Sequence, residues 1–309
     1  EYKYPYDETK EGDRLAAKKE DVLANQFLLD ATFLGEYSDD TLEIIDQLME
    51  MNGAAFHPEP EDMKILKKAA QYNDYLGINY YQSQFIREYH GENEIFHNGT
   101  GDKGTSVFRL KGIGERMFKE GIDRTDWDWL IYPEGLYDMI MRIKRQYPNY
   151  KALYITENGM GYKDDFEDGT IDDQPRIDYI KRHLEAVGQA IEEGANVKGY
   201  FVWSLMDVFS WSNGYNKRYG LFYVDYETQE RYAKKSAISS ANQKIPILLH
   251  HVYFYDNAHS AVSIPLISSV YSKAPEDPDE PEYNHPNALI FLHLKYPTLH
   301  NHSIHLLST

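Results

Sequence analysis

Residues 152 to 205 constrain the fold most. An apolar run, Ala152-Leu153-Tyr154-Ile155, is followed by a stretch with Ile177, Ile180, Leu184, Val187 and Ile191 on one helical face. A second apolar run, Gly199-Tyr200-Phe201-Val202-Trp203-Ser204-Leu205, comes next. Apolar strand, amphipathic crossover helix and apolar strand make a βαβ unit, whose strands are parallel and buried on both faces. Gly194 marks the end of the crossover helix. Upstream, Leu76-Gly77-Ile78-Asn79-Tyr80-Tyr81 predicts a third strand of the same kind. Helices are expected from Asp40-Thr41 to Met51, stopped by Asn52-Gly53, and from Pro58 to Gln71. Another should start with Pro133 at its first position and end at Tyr147-Pro148. The stretch from 84 to 128 is polar and rich in Gly and Lys, and predicts a long loop of functional type. Three strands among alternating helices are a piece of a parallel α/β fold; a closed (β/α)₈ barrel needs eight strands and about 250 residues.

In such folds chemistry gathers at the C-terminal ends of the strands. Asn79, Glu157 and Trp203 occupy that edge. Glu157 stands where its strand gives way to Asn158-Gly159, so a carboxylate is held at the mouth of the sheet.

Composition narrows the partners. The formal net charge of −18 leaves no basic face for a nucleic acid. No apolar run approaches the ~20 residues of a membrane span, and no leader pattern opens the chain. With no Cys there is neither a disulfide framework nor thiolate chemistry, which fits a cytoplasmic protein. The chain opens on Glu1, its first Met is Met49, and an N-terminal truncation is expected. Composition shifts near residue 237: all 20 Gly and all 4 Trp precede it, whereas 8 of the 12 His and 7 of the 13 Pro follow. Residues 1–237 therefore form one unit, and 238–309 an unrelated Gly-free, His- and Pro-rich tail with an acidic spacer, Pro275 to Pro281. His300, His302 and His305 have no carboxylate at ligand spacing, so no metal site is expected there.

Ile155-Thr156-Glu157-Asn158-Gly159, Gly77-Ile78-Asn79-Tyr80-Tyr81 and the segment from Gly199 to Lys235 together resemble glycoside hydrolase family 1, and within it the 6-phospho-β-galactosidase branch. The resemblance covers residues 1–237. It implies an incomplete (β/α)₈ TIM barrel in which strands 6 to 8 and their helices are present and the N-terminal strands are missing. Three strands alone leave two open edges and an unfilled interior, so marginal stability is expected.

The family cleaves glycosides with retention and without a cofactor, using a nucleophilic carboxylate and an acid/base carboxylate about 5 to 5.5 Å apart. By resemblance Glu157 is the nucleophile, Tyr81 orients it, and Asn79 and Trp203 contact the sugar. The acid/base residue belongs to a Thr-x-Asn-Glu motif that this sequence lacks. The Asn93-Glu94 pair follows a polar stretch and is expected to be a solvated loop, so the chain alone is expected to be inactive.

Ser210 stands where family members that act on non-phosphorylated sugars carry Glu. A carboxylate 4 Å from a substrate phosphate would cost about 4 kcal/mol per charge pair at an effective dielectric of ~20. Ser210, Lys217 and Tyr219 resemble the ligands of a sugar 6-phosphate, and Trp211 resembles the residue that favours galactosides. The implied partner is a small phosphorylated sugar such as phosphorylated lactose; a 6-phospho-β-glucosidase, or an inactive relic that binds phosphosugar, are the alternatives.

Overall fold

The computed structural model describes residues 1–167, 169–210, 213–242, 252–255 and 261–264. In chain order, β1 (Lys3–Pro5) leads into α1 (Glu11–Asp21), a π turn, the short α2 (Phe27–Leu29) and a second π turn. Then come α3 (Asp39–Met51), α4 (Pro60–Ala69) and β2 (Leu76–Asn79). The strands β3 (Gln84–Arg87), β4 (Glu94–Phe96), β5 (Val107–Leu110) and β6 (Gly114–Met117) precede α5 (Glu134–Gln146). The βαβ unit is β7 (Leu153–Asn158), α6 (Gln174–Glu192) and β8 (Val197–Val202). The hairpin β9 (Phe222–Val224) and β10 (Arg231–Ala233) is followed by α7 (Lys235–Asn242), β11 (Val252–Tyr255) and β12 (Ala261–Ile264).

Local chemistry sets the helix ends. Ser38 caps α3, its Oγ accepting from the Thr41 N–H at 3.2 Å, with Asp39 and Asp40 in the first turn. In α4 the Asp62 carboxylate reaches back to the Glu59 N–H at 3.0 Å and Pro60 takes the first position. That helix is two residues shorter at each end than expected, because the capping box starts it later and a 3₁₀ turn, Ala70–Tyr72, finishes it. Pro133 is the cap of α5 and not its first residue. Gly194 ends α6 with φ of +86°, a conformation that favours glycine.

The parallel sheet has the order β12-β11-β8-β7-β2, with β2, β7, β8 and β11 parallel and β12 antiparallel. One face is buried: Ile78, Leu153, Ile155, Tyr200 and Val202 join Leu136, Ile140, Ile180 and Val187 of α5 and α6 in the main core. The other face is half open, with Gly77 and Asn79 exposed and Tyr154, Thr156 and Phe201 partly so. Of the two open edges expected, that of β8 is taken by β11, through Val252↔Tyr200 to Phe254↔Val202.

The stretch expected to be a long loop is instead a second sheet, β1-β3-β6-β5-β4, antiparallel except for β1 on β3. Charge pairs across its strands replace an apolar alternation: Glu115 binds Arg87 at 2.6 Å and Arg109 at 3.0 Å, and Arg109 binds Glu94 at 2.5 Å. No helix among the described residues is long and apolar enough to cross a membrane.

Candidate active site

Register at the ends of β2, β7 and β8 builds the first half of the site. Ile78 pairs with Ile155, but the register then shifts so that Asn79 faces Glu157, and β7 is irregular against β8 between Ile155 and Asn158. Such an irregularity re-aims side chains at a strand end. Asn158 turns inward, buried, donating to the Tyr80 carbonyl at 2.7 Å and accepting from the Tyr200 hydroxyl. Gly159 is required by close approach, since a Cβ there would lie 1.9 Å from the Trp203 carbonyl oxygen. The chain is thus locked on both sides of Glu157.

Glu157 is half-buried, and the Tyr81 hydroxyl donates to its Oε2 at 2.7 Å. Burial, then the bond to Glu157, raises the Tyr81 phenol above its ordinary pKa, so it remains a donor. Asn79 accepts from the Thr156 hydroxyl at 2.6 Å beside this pair. Trp203 is half-buried, and its backbone N–H donates to the Asn158 carbonyl at 2.8 Å.

The second half lies beyond Tyr81. Its ring meets Trp129 at 5.3 Å and Tyr219 at 6.4 Å between centroids. The Lys217 ammonium sits 4.6 Å from the Trp129 ring centroid and 5.3 Å from that of Trp127. Lys217 is 4% exposed, and no carboxylate among the described residues lies within ion-pair distance of its Nζ. Burial lowers its pKa to about 8, and burial raises that of Tyr219. Lys217 also lines a cleft of about 390 Å³ with Trp127, Trp129, Gln82, Asn98 and Arg116. Glu157 does not line that cleft, so the cleft reaches the cation and not the carboxylate.

Ser210 joins neither Lys217 nor Tyr219 directly. Its backbone closes a turn with Gly214 at 2.8 Å both ways, and its Oγ accepts from Asn213 at 3.3 Å, a residue that lines the same cleft. Trp211, the residue tied to the galactoside preference, lies outside the described residues, as do His300, His302 and His305. No cluster able to hold a metal occurs among the described residues. Glu94 is on exposed β4, bound to Arg109. Trp127 and Trp129 were not singled out by the sequence reading; the Trp-x-Trp repeat inside an otherwise polar stretch is the signal that could have found them.

The family model described as glycosyl hydrolase family 1 matches residues 1–241. A 6-phospho-beta-galactosidase of Leptotrichia buccalis is 60% identical over 235 residues, covering 76% of this chain and 50% of that protein. One from Staphylococcus haemolyticus is 60% identical over 237 residues with the same coverage. The chain therefore spans about half the length of these curated relatives. Among solved structures, the β-glucosidase of Exiguobacterium antarcticum is 32% identical, with a TM-score of 0.63 over 78% of this chain and 48% of that one. A psychrophilic β-glucosidase from Micrococcus antarcticus is 35% identical, with a TM-score of 0.64 over 76% and 49%. The fold is a partial (β/α)₈ barrel.

Proposed function

The chain belongs to glycosyl hydrolase family 1, and from that premise we propose that it is the part of a retaining 6-phospho-β-galactosidase that carries the nucleophile and the phosphate site. The observation that carries this reading is the 2.7 Å bond from Tyr81 to Glu157 at adjoining strand ends. A phenol kept protonated by burial remains a donor that holds the attacking carboxylate in place.

In the first step a Glu157 oxygen bonds to the anomeric carbon as the bond to the leaving oxygen breaks, and that oxygen takes a proton from the acid/base carboxylate. In the second, water loses a proton to that same group and displaces Glu157, which restores the original configuration. The sequence holds no Thr-x-Asn-Glu motif, so the acid/base group is supplied from outside this chain. Ser210, Lys217 and Tyr219 receive the 6-phosphate. The names of the relatives and the Lys217 ammonium, which has no carboxylate partner among the described residues, support the phosphate. Asn79 and Trp203 hold the sugar, and Trp211 favours the galacto epimer.

The test is dinitrophenyl 6-phospho-β-galactoside, whose leaving group needs little protonation. General acid help is commonly worth about 10²- to 10⁴-fold, and its absence is felt least with such a substrate. The expected result is a single slow release of dinitrophenolate with a sugar adduct on the peptide containing Glu157, absent from Glu157→Gln. The gluco epimer and the plain galactoside should react more slowly. Efficient turnover of phosphorylated lactose by this chain, or an adduct on another residue, would overturn the assignment.

A further inference from the structure

Lys217 and Tyr219 face the same aromatic neighbour, Trp129, whereas Arg218 between them turns away. Arg218 forms a bridge with Tyr162, whose N–H donates to the Arg218 carbonyl at 3.1 Å. Where the backbone is extended in this way, successive side chains point to opposite sides. The Arg218 guanidinium donates to Asp207 Oδ2 at 2.7 Å and to the Val224 carbonyl at 2.9 Å, with the rings of Tyr223 and Tyr226 at 3.9 and 4.5 Å.

Asp207 grips the same segment a second time. Its side chain is fully buried, and its Oδ1 accepts from the Gly220 N–H at 2.9 Å and from Lys234 at 2.8 Å. One carboxylate thus holds the residue between Lys217 and Tyr219 and the residue just after them. Arg218 is the second cation of the Lys-Arg pair, and its charge is taken up by Asp207.

We propose that Arg218, anchored on Asp207, is a positioning residue for the substrate phosphate: by committing its own side chain to one side of the segment it commits Lys217 and Tyr219 together to the other. This rests on the phosphate reading of Lys217. The anchor must be a cation able to reach both Asp207 and the Val224 carbonyl. A lysine at 218 keeps the charge that Asp207 holds but not the planar fork, and a methionine keeps neither.

The experiment measures binding of D-galactose 6-phosphate and of D-galactose to the full 309-residue chain by quenching of tryptophan fluorescence. Arg218→Met should lower the preference for the phosphorylated sugar about tenfold or more, with galactose affinity moved less than twofold, since the lost contacts are those to a charged group. Arg218→Lys should recover part of the preference, about threefold or more above Arg218→Met, because a cation again faces Asp207 but without the planar group beside the Tyr223 and Tyr226 rings. If Arg218→Met does not fold, Arg218→Lys decides alone: a folded variant without the preference overturns the proposal. So does an equal loss of both sugars in Arg218→Met, which marks a merely structural residue. Lys217→Ala separates the two readings. A parent chain without preference for the phosphate, or a preference that survives Lys217→Ala, removes the phosphate reading and this proposal with it. Loss in Lys217→Ala with full retention in Arg218→Met removes the positioning role alone.

Discussion

Two buried lysines lie 17 residues apart in this chain and live in opposite surroundings. Lys234 is 0% exposed and touches Asp164 and Asp207, links in a buried series in which Asp173, Arg176, Asp164, Lys234, Asp207 and Arg218 alternate in sign. Lys217 is 4% exposed and touches two indole rings. Three carboxylates balance three cations in the first case. In the second, cation–π contacts, worth about 0.5 to 2 kcal/mol each, oppose a desolvation cost of several kcal/mol. A buried cation with carboxylates belongs to the architecture; one without them is held at a cost and is open to an anion from outside.

The difference is broken most directly at Lys234. Lys234→Met leaves Asp164 and Asp207 with one cation each where they had two, and such losses typically cost about 3 to 5 kcal/mol. We expect a melting temperature lower by roughly 10 °C, read by circular dichroism against the parent chain. Lys217→Met should act with the other sign. Removing an unpaired buried charge and keeping its volume should stabilise the fold by about 1 to 2 kcal/mol, while affinity for galactose 6-phosphate falls roughly 10²-fold. Equal destabilisation by the two variants would show that the two lysines do the same work.

The Lys217 pKa of about 8 sharpens the contrast through pH. The folded-state value lies below the 10.5 of a free lysine, so between these values the unfolded chain binds more protons. The penalty is therefore present in full below about pH 8 and relieved as pH rises to 10.5. Stability should increase across that window by on the order of 2 to 3 kcal/mol relative to Lys217→Met, measured by urea denaturation at each pH. Binding of the phosphorylated sugar should run the other way and weaken above about pH 8, as the cation proposed to receive it deprotonates. A flat difference between parent and variant from pH 7 to 10.5 would count against it.

These contrasts also mark what a single sequence discloses. Glu157 and Lys217 could be singled out because each lies in a short motif, although Tyr81, which binds Glu157, stands 76 positions away and Ser210 does not join Lys217. The strands β2, β7 and β8 were legible because continuous apolar runs such as Leu153 to Ile155 flank an amphipathic crossover helix, although only one of the two faces such runs predict to be buried is covered here. The second sheet was not. Arg87, Glu94, Arg109 and Glu115 pair across strands, so the positions that should alternate apolar carry charges, and the stretch reads as a loop. Nor could the role of Lys234 be read. Its partners stand 70 and 27 positions away, and nothing local separates it from its neighbour Lys235.

That neighbour supplies the smallest effect and the cleanest control. Lys235 pairs with Asp172 at 3.2 Å, with side chains 50% and 71% exposed. Asp172 in turn precedes Asp173 of the buried series, so the two pairs are adjacent in sequence and differ mainly in burial. In water the two charges gain little by meeting, salt screens them, and the long lysine chain loses entropy on being held. Lys235→Ala should therefore change stability by no more than about 0.5 kcal/mol, and less in 1 M salt, by the same urea denaturation used for Lys234→Met. If it matched Lys234→Met, the loss would follow from any charge removed at the N-terminal edge of α7, and burial would not be the property that separates the three lysines. A small value alongside a large one at 234 and a gain at 217 assigns the difference to surroundings: paired in water, paired in the core, and buried without a carboxylate.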